Sequence, residues 1–127
     1  MTSTRRALFH IALPEDWERE RARGRYTRST RGRHLDEVGF VHLSFGHQLE
    51  ATANRYFGDV DHVVLLTIDP RRCDGAVVVE PGAGTVDDAF PHLYGALPVD
   101  AVVAVDAWRR DHDGRYRRPG TAGATPS

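Results

Sequence analysis

The stretch that most constrains the fold is "HVVLLTID" at residues 62–69, in which nearly every residue is apolar. A strand that is covered on both faces has this composition, whereas a strand with one wet face alternates apolar and polar residues. We therefore predict a central, buried β-strand at residues 62–69, with the other elements arranged around it.

Four further segments are short and apolar or weakly alternating, which favours strands. They lie at residues 7–12 (ALFHIA), 39–44 (GFVHLS), 75–82 (GAVVVEPG) and 97–109. With the central strand, they predict a fold that is rich in β-structure and has five or six strands.

Two segments carry helix signals. Pro14 suits a first helical position, two acidic residues follow it in the first turn, and Gly24 suits the end of the helix. A second helix is predicted over residues 47–58, and Gly58 ends it. Its apolar face would comprise Leu49, Ala53, Tyr56 and Phe57.

Two other segments lack a clear period, and we predict that both are loops. Residues 24–37 are polar and rich in arginine, and a loop of this length inside a compact domain is often a functional lid or ligand clamp. Residues 90–98 (FPHLYGALP) predict a rigid loop that holds His92 and Tyr94. Together the pattern predicts one α+β domain over residues 1–118 and a disordered tail over residues 119–127.

Composition limits the functional classes. The net charge of −1 argues against a general polyanion binder such as a nucleic-acid-binding protein, although it leaves room for a local basic patch. The single cysteine excludes an internal disulfide and a four-cysteine zinc site. No apolar run approaches the roughly 18 residues of a membrane span, and no signal peptide is evident, so we expect a cytoplasmic protein.

Two histidines lie on predicted strands. If the strand of His10 and the strand of His42 are neighbours, both imidazoles can line one cleft, with Ser44 on the same face as His42. The alternative is that each histidine is a core or edge residue whose ring bonds a backbone carbonyl, and that Ser44 caps the following helix.

Glu80 ends a predicted strand, where a carboxylate is either a site residue or merely solvated. A metal site is not expected. His42 and His47 are five residues apart, which does not bring two histidines to one ion on a helix, and no H-E-x-x-H or Cys/His cluster occurs.

The order of "FHIA", "GFVHLS", "VVLLTIDP" and "FPHLYG" resembles a small bacterial family, domain of unknown function 952, over roughly residues 7–106. The resemblance implies an ADP-ribosyltransferase-like fold, a split and curved β-sheet core with about two main helices that holds NAD in a cleft. "VHLS" followed by "VVLLTID" is also distantly similar to the RNA 2′-phosphotransferases, which use NAD.

By these resemblances, His10, His42 and Ser44 would line the NAD site, and Glu80 would be the third catalytic position. The expected activity is transfer of ADP-ribose or cleavage of the nicotinamide glycosidic bond. The chain lacks the preceding RNA-binding domain of the phosphotransferases and the arginines that grip the 2′-phosphate, so removal of a 2′-phosphate from RNA is not expected.

Further ligand contacts are assigned as hypotheses. Aromatic side chains would stack on nicotinamide, and loop arginines would neutralise the pyrophosphate. The candidates are Trp17, Tyr26, Phe90, His92 and Tyr94, with Arg25, Arg28, Arg31 and Arg33. The acceptor of ADP-ribose stays open between protein, RNA, a small molecule and water. A non-catalytic module that binds a nucleotide or a small phosphorylated metabolite is the alternative.

Overall fold

The computed structural model describes residues 7–82 and 88–118, and in this part the chain is a mixed structure of antiparallel sheets and a few helices. The strands are β1 (Leu8–Ala12), β2 (Arg25–Tyr26), β3 (Arg28–Thr30), β4 (Arg33–His34), β5 (Val41–His42), β6 (His62–Ile68), β7 (Ala76–Pro81), β8 (Ala89–Tyr94), β9 (Leu97–Pro98) and β10 (Val102–Arg109). The α-helices are α1 (Pro14–Arg21), α2 (Leu35–Val38) and α3 (Leu49–Tyr56), and single 3-10 turns occur at Gly46–Gln48, Pro70–Arg72 and Val99–Ala101.

The first sheet has the order β1-β6-β10, with β6 paired antiparallel to both neighbours. Because side chains alternate along a strand, the two faces of β6 enter different hydrophobic clusters. Val64 and Leu66 belong to the first cluster, and Val63 and Leu65 belong to the second cluster. Helix α3 covers the second cluster through Leu49 and other apolar residues. The central buried strand that the sequence predicts is therefore confirmed.

The second sheet has the order β5-β8-β7, again antiparallel. It joins the first sheet where Phe9 and Ser44 exchange two backbone hydrogen bonds, of 2.9 and 2.8 Å. Besides the two-stranded pairs β2-β9 and β3-β4, the described β-structure thus contains two three-stranded sheets whose backbones are joined at one pair of residues. The predicted adjacency of the strand of His10 and the strand of His42 is present at this junction.

Both loop predictions are wrong. Residues 24–37 contain β2, β3, β4 and most of α2, and residues 90–98 contain most of β8 and all of β9. The strands at 25–34 are two or three residues long, and β2 depends on a partner distant in sequence, so periodicity cannot reveal them. Pro91 argues against a strand at β8, because proline cannot donate a hydrogen bond to a neighbouring strand. Its carbonyl nevertheless accepts from the Leu43 N–H at 3.0 Å.

Several predicted boundaries also change. The first helix ends at Arg21, not near Gly24, and the strand at 39–44 is regular only at β5. Ser44 does not cap the next helix, because its backbone pairs with Phe9 and a 3-10 turn precedes α3. Tyr56 leaves the apolar face of α3 and is 47% exposed.

The segment after β10 packs against the second cluster and is held there by hydrogen bonds. Asn54 of α3 donates to the carbonyl of Tyr116 at 2.9 Å and accepts from its N–H at 2.8 Å. The Tyr116 hydroxyl donates to the Val60 carbonyl, and the Trp108 indole donates to the Arg117 carbonyl. Residues 119–127, for which a disordered tail is predicted, lie outside the described residues. No helix among those described has the length and apolar character needed to cross a bilayer.

His10 links the two sheets from inside the core. It is only 2% exposed, and its Nδ1–H donates to the main-chain carbonyl of His42 at 2.7 Å. Its Nε2 is 3.1 Å from the hydroxyl of Tyr26, which is the donor because a neutral imidazole has one accepting nitrogen. Burial disfavours the imidazolium and lowers the pKa of His10 from 6.5 to about 4.

The pKa of His10 predicts how stability depends on pH. Because the unfolded chain takes up this proton near pH 6.5 and the folded chain near pH 4, the free energy of unfolding falls as pH drops through this window. The contribution is at most roughly 3 kcal/mol. His42, whose pKa is also lowered, adds in the same direction.

Urea denaturation between pH 7 and pH 4 measures this dependence. His10→Gln will show a shallower slope of stability against pH, because the titrating group is gone. His112→Gln, at an exposed site, will keep the wild-type slope. Equal slopes in all three proteins would contradict this origin.

Tyr26→Phe isolates the hydrogen bond to His10. The substitution removes the hydroxyl donor and leaves the buried Nε2 without a partner, so we expect a loss of about 1–3 kcal/mol in the free energy of unfolding. Tyr56→Phe is the matched control, because Tyr56 is exposed, and it should change stability by less than about 0.5 kcal/mol. Equal losses in the two variants would show that the hydroxyl of Tyr26 contributes nothing.

Candidate functional site

The candidate site lies on the outer face of the second sheet. Val41 of β5 and Leu93 of β8 point into the first cluster, so His42 and His92, one position along each strand, point the other way. The two histidines are direct cross-strand partners, and their ring centroids are 5.4 Å apart. The antiparallel register alone therefore brings two imidazoles that are distant in the chain onto one surface.

A cavity of about 730 Å³ opens beside these rings, a size typical of small-molecule sites. Its walls come from the second sheet, from α3 and from the segment that contains β3 and β4. His10, His42, Ser44 and His92 all line it. The aromatic residues of its wall are Phe40, Tyr56, Phe57 and Phe90.

His42 presents a free nitrogen. Its Nδ1 is 3.2 Å from the carbonyl of Ser29, and a carbonyl only accepts, so Nδ1 carries the hydrogen. The Ser29 hydroxyl donates to the Phe40 carbonyl and also accepts from Nδ1 at 3.0 Å. Within the described residues Nε2 has no partner, and burial lowers the pKa of His42. At neutral pH a lone pair on Nε2 is available to a ligand.

His92 forms a pair with Glu80. Nδ1–H of His92 donates to the Glu80 carboxylate at 2.7 Å, and the hydroxyl of Tyr94 donates to the same oxygen. These two hydrogen bonds lower the pKa of Glu80, so it is ionised at neutral pH. The carboxylate fixes the tautomer and orientation of the imidazole, which leaves Nε2 of neutral His92 as an acceptor.

The other nitrogen of His92 is an unsatisfied buried atom. The side chain is 4% exposed, and Nε2 has no hydrogen-bond partner among residues 7–82 and 88–118. Phe40 stacks on the imidazole with ring centroids 4.0 Å apart and planes inclined by 15°. Because an unpaired buried polar atom costs about 1–3 kcal/mol, a ligand group that bonds Nε2 would recover free energy.

His10 also lines the cavity, but unlike His42 and His92 it has no free ring nitrogen. Both ring nitrogens are engaged, by the His42 carbonyl and the Tyr26 hydroxyl, so neither is free for a ribose or a phosphate. Its bond to the main chain of His42 instead holds that residue in place. The role that the structure supports for His10 is therefore positioning of His42.

Three arginines line the cavity, and they differ in charge pairing. Arg31 is bound by both oxygens of Asp59, and Arg33 is 3.6 Å from Glu37. Arg55 of α3 has no carboxylate within ion-pair distance in the described part of the chain; its guanidinium lies over the ring of Tyr56. The sequence did not identify Arg55 as a site residue. It lies three residues after Thr52 and four after Ala51, so the three residues share one side of α3, which forms part of the cavity wall.

Five of the residues assigned to ligand binding do not line this cavity: Trp17, Arg25, Tyr26, Arg28 and Tyr94. Trp17 and Tyr26 are buried in the first cluster, and Arg28 lies near Asp16, at 3.8 Å. The hydrophobic core thus takes up the indole ring that was expected to stack on a ligand. Tyr94 contacts the site indirectly, through its bond to Glu80 and through the ring of Phe40.

Glu80, the expected third catalytic position, is also absent from the cavity wall. It reaches the cavity only through His92, to which its carboxylate is bonded. The structure therefore brings His42, Ser44 and His92 together at the wall and places Glu80 behind them.

The described ranges contain no group of three or more His, Cys, Asp or Glu side chains that could hold a metal ion. The carboxylate on the cavity wall is that of Asp88, which accepts from Gln48 at 3.1 Å. Among the described wall residues Arg31 and Arg33 have carboxylate partners and Arg55 has none, so Arg55 is the cation that remains for an anionic ligand.

Comparison with solved structures finds protein CC0527 from Caulobacter crescentus. Its crystal structure matches with a TM-score of 0.74 and 29% identity, over 87% of this chain and 93% of that chain, and so does the crystal structure of a double mutant of CC0527. The solution NMR structure of CC0527 matches with a TM-score of 0.71 and 28% identity, over 95% and 98% of the two chains.

No curated protein matches the chain. The model of one protein family does match it, over residues 11–105, which include the central strand of the first sheet and all of the second sheet. The family is described as a protein of unknown function, DUF952, and this chain belongs to it.

Proposed function

We propose that the protein binds NAD in the cavity of about 730 Å³ and cleaves its nicotinamide glycosidic bond, or transfers the ADP-ribose, in the manner of an ADP-ribosyltransferase-like protein. The observation that carries the proposal is the combination, in one cavity, of an arginine without a carboxylate partner in the described chain, several aromatic rings and two histidines with a free Nε2. A dinucleotide needs all three: cations for the pyrophosphate, planar groups for the bases, and polar groups for the ribose.

The division of the β-structure supports the same proposal. Two three-stranded sheets that meet at Phe9 and Ser44 agree with the split β-sheet core that the family resemblance implies. We extend the proposal to the fold, as ADP-ribosyltransferase-like, with the ligand lying beside the junction. His42 and Ser44 are at this junction and on the cavity wall, which suits contacts to the ribose that carries nicotinamide.

Chemistry on NAD requires stabilisation of positive charge. Loss of nicotinamide develops an oxocarbenium-like cation on the ribose, and hydrogen-bond acceptors that hold the ribose hydroxyls favour that state. The lone pair on Nε2 of His42 is such an acceptor. Arg55, and Arg33 with its exposed guanidinium, would bind the pyrophosphate, and Phe90 would pack against a base.

Calorimetric titration with ADP-ribose, NAD and nicotinamide tests the binding. We expect ADP-ribose to bind, and Arg55→Gln to weaken binding roughly tenfold or more, because a charge-assisted hydrogen bond contributes about 1.5–3 kcal/mol. Arg109→Gln, an exposed arginine on β10 that does not line the cavity, is the matched control and should bind like the wild type. Absence of ADP-ribose binding to the wild-type protein would refute the proposed function.

Single-turnover consumption of NAD tests the chemistry. Removing the hydrogen-bonding group in His42→Ala should slow nicotinamide release by roughly 100-fold to 1,000-fold, the cost typical of losing one preorganised hydrogen bond in a transition state. His47→Ala is the control, because His47 is exposed and does not line this cavity. Binding of ADP-ribose with no release of nicotinamide by the wild type would identify a non-catalytic nucleotide-binding module instead.

A further inference from the structure

We propose that Glu80 and His92 form a proton-transfer pair: Nε2 of His92 takes the proton from the hydroxyl that attacks the ribose, and Glu80 acts only through His92. This inference rests on the proposed function, because it assigns the base for the same reaction. It changes the role that the family resemblance implies for Glu80, which is that of the third catalytic position.

The geometry of Glu80 argues against direct contact. Oε2 of Glu80 already accepts from Nδ1–H of His92 and from the hydroxyl of Tyr94, and Glu80 is not on the cavity wall. A carboxylate bound to one imidazole nitrogen while the other nitrogen stays free is the arrangement in which histidine acts as a general base. His92 is therefore the catalytic residue of the pair, and Glu80 is a positioning residue.

The burial of His92 also supports its assignment as the catalytic residue of the pair. Its imidazole is 4% exposed and Nε2 has no partner in the described residues, so the lone pair is desolvated and unused in the absence of a ligand. Phe40 stacks on one face of the ring and keeps it in plane, and the ring edge meets His42 at 5.4 Å between centroids. His92 lines the cavity, so a small shift of the wall that uncovers Nε2 would let a bound hydroxyl satisfy it.

A carboxylate lies directly against the ring of His92. Glu80 of β7 is the carboxylate in contact with the ring, the neutral Tyr94 hydroxyl lies beyond it, and His42 of β5 is held neutral by burial, which lowers its pKa. The other charged side chains of the cavity wall are those of Arg31, Arg33, Arg55 and Asp88. When His92 takes a proton, the positive charge forms against the Glu80 carboxylate, which stabilises it.

The step balances without a further reactant. The bond between the ribose C1′ and the nicotinamide nitrogen breaks, and its electron pair leaves with neutral nicotinamide. The hydroxyl oxygen of water or another acceptor forms the new bond to C1′, and its proton moves to Nε2 of His92. The imidazolium later returns this proton to solvent. With water as acceptor the products are nicotinamide, ADP-ribose and one proton.

The test is single-turnover release of nicotinamide from NAD as a function of pH, with ADP-ribose affinity measured on each variant. Glu80→Gln keeps the shape of the side chain and removes the charge, so we expect a rate roughly 100-fold lower or more, a pH–rate profile displaced to lower pH, and unchanged ADP-ribose affinity. Glu80→Asp should recover part of the rate. Glu18→Gln, at an exposed position on α1, is the matched control and should behave as the wild type.

Chemical rescue separates proton transfer from a structural role. His92→Ala should release nicotinamide slowly, and added imidazole should restore part of the rate, because the free base can enter the space that the side chain leaves. Wild-type rates in Glu80→Gln with intact binding would overturn the inference while leaving the proposed function standing. Slow turnover in both variants without imidazole rescue and without displacement of the pH profile would also overturn it. Failure of the wild type to bind ADP-ribose would instead refute the proposed function itself.

Discussion

The arrangement of the molecule depends on one buried hydrogen bond, from Nδ1 of His10 to the main-chain carbonyl of His42. It crosses the junction at which Phe9 and Ser44 join the backbones of the two sheets, above the hydrophobic cluster to which both sheets contribute. Since the ring also accepts from Tyr26, the bond connects the first sheet, the second sheet and the short strand β2. The cavity lies beside this connection, so its shape depends on a histidine that offers no free nitrogen to a ligand.

Three histidines in this region do different work because their Nδ1 atoms have different acceptors. His10 and His42 each donate to a neutral carbonyl in a buried setting, and burial lowers the pKa of both. His92 donates to a carboxylate. The same side chain therefore serves as a structural link, as a neutral hydrogen-bond acceptor and, in our proposal, as a charge-supported base, according to the one atom that it faces.

The apolar runs in the sequence predict much of the fold, but they predict only some of the residues that line the cavity. The strand at 62–69, the strand of His10 and the two main helices each carry a local signal, and the structure contains all of them. The alternation of side chains along a strand makes His42 a candidate site residue, and the position of Glu80 at a strand end makes it another. Only the register of β7 and β8 shows that Glu80 lies near His92. Trp17 is a plausible stacking group by residue type, yet the core competes for the same apolar surface and buries it. Arg55 cannot be singled out, because an arginine on the polar face of a helix is ordinarily solvated.

The attachment of the C-terminal segment to α3 has a consequence for how the cavity can change. Asn54 and Glu50 hold the backbone of Tyr116 and Arg118 from one side of the helix, while Arg55 and its neighbours form the cavity wall. The position of that wall is therefore set by contacts behind it. Substitutions after residue 110 can therefore displace this wall while every residue that lines the cavity stays the same.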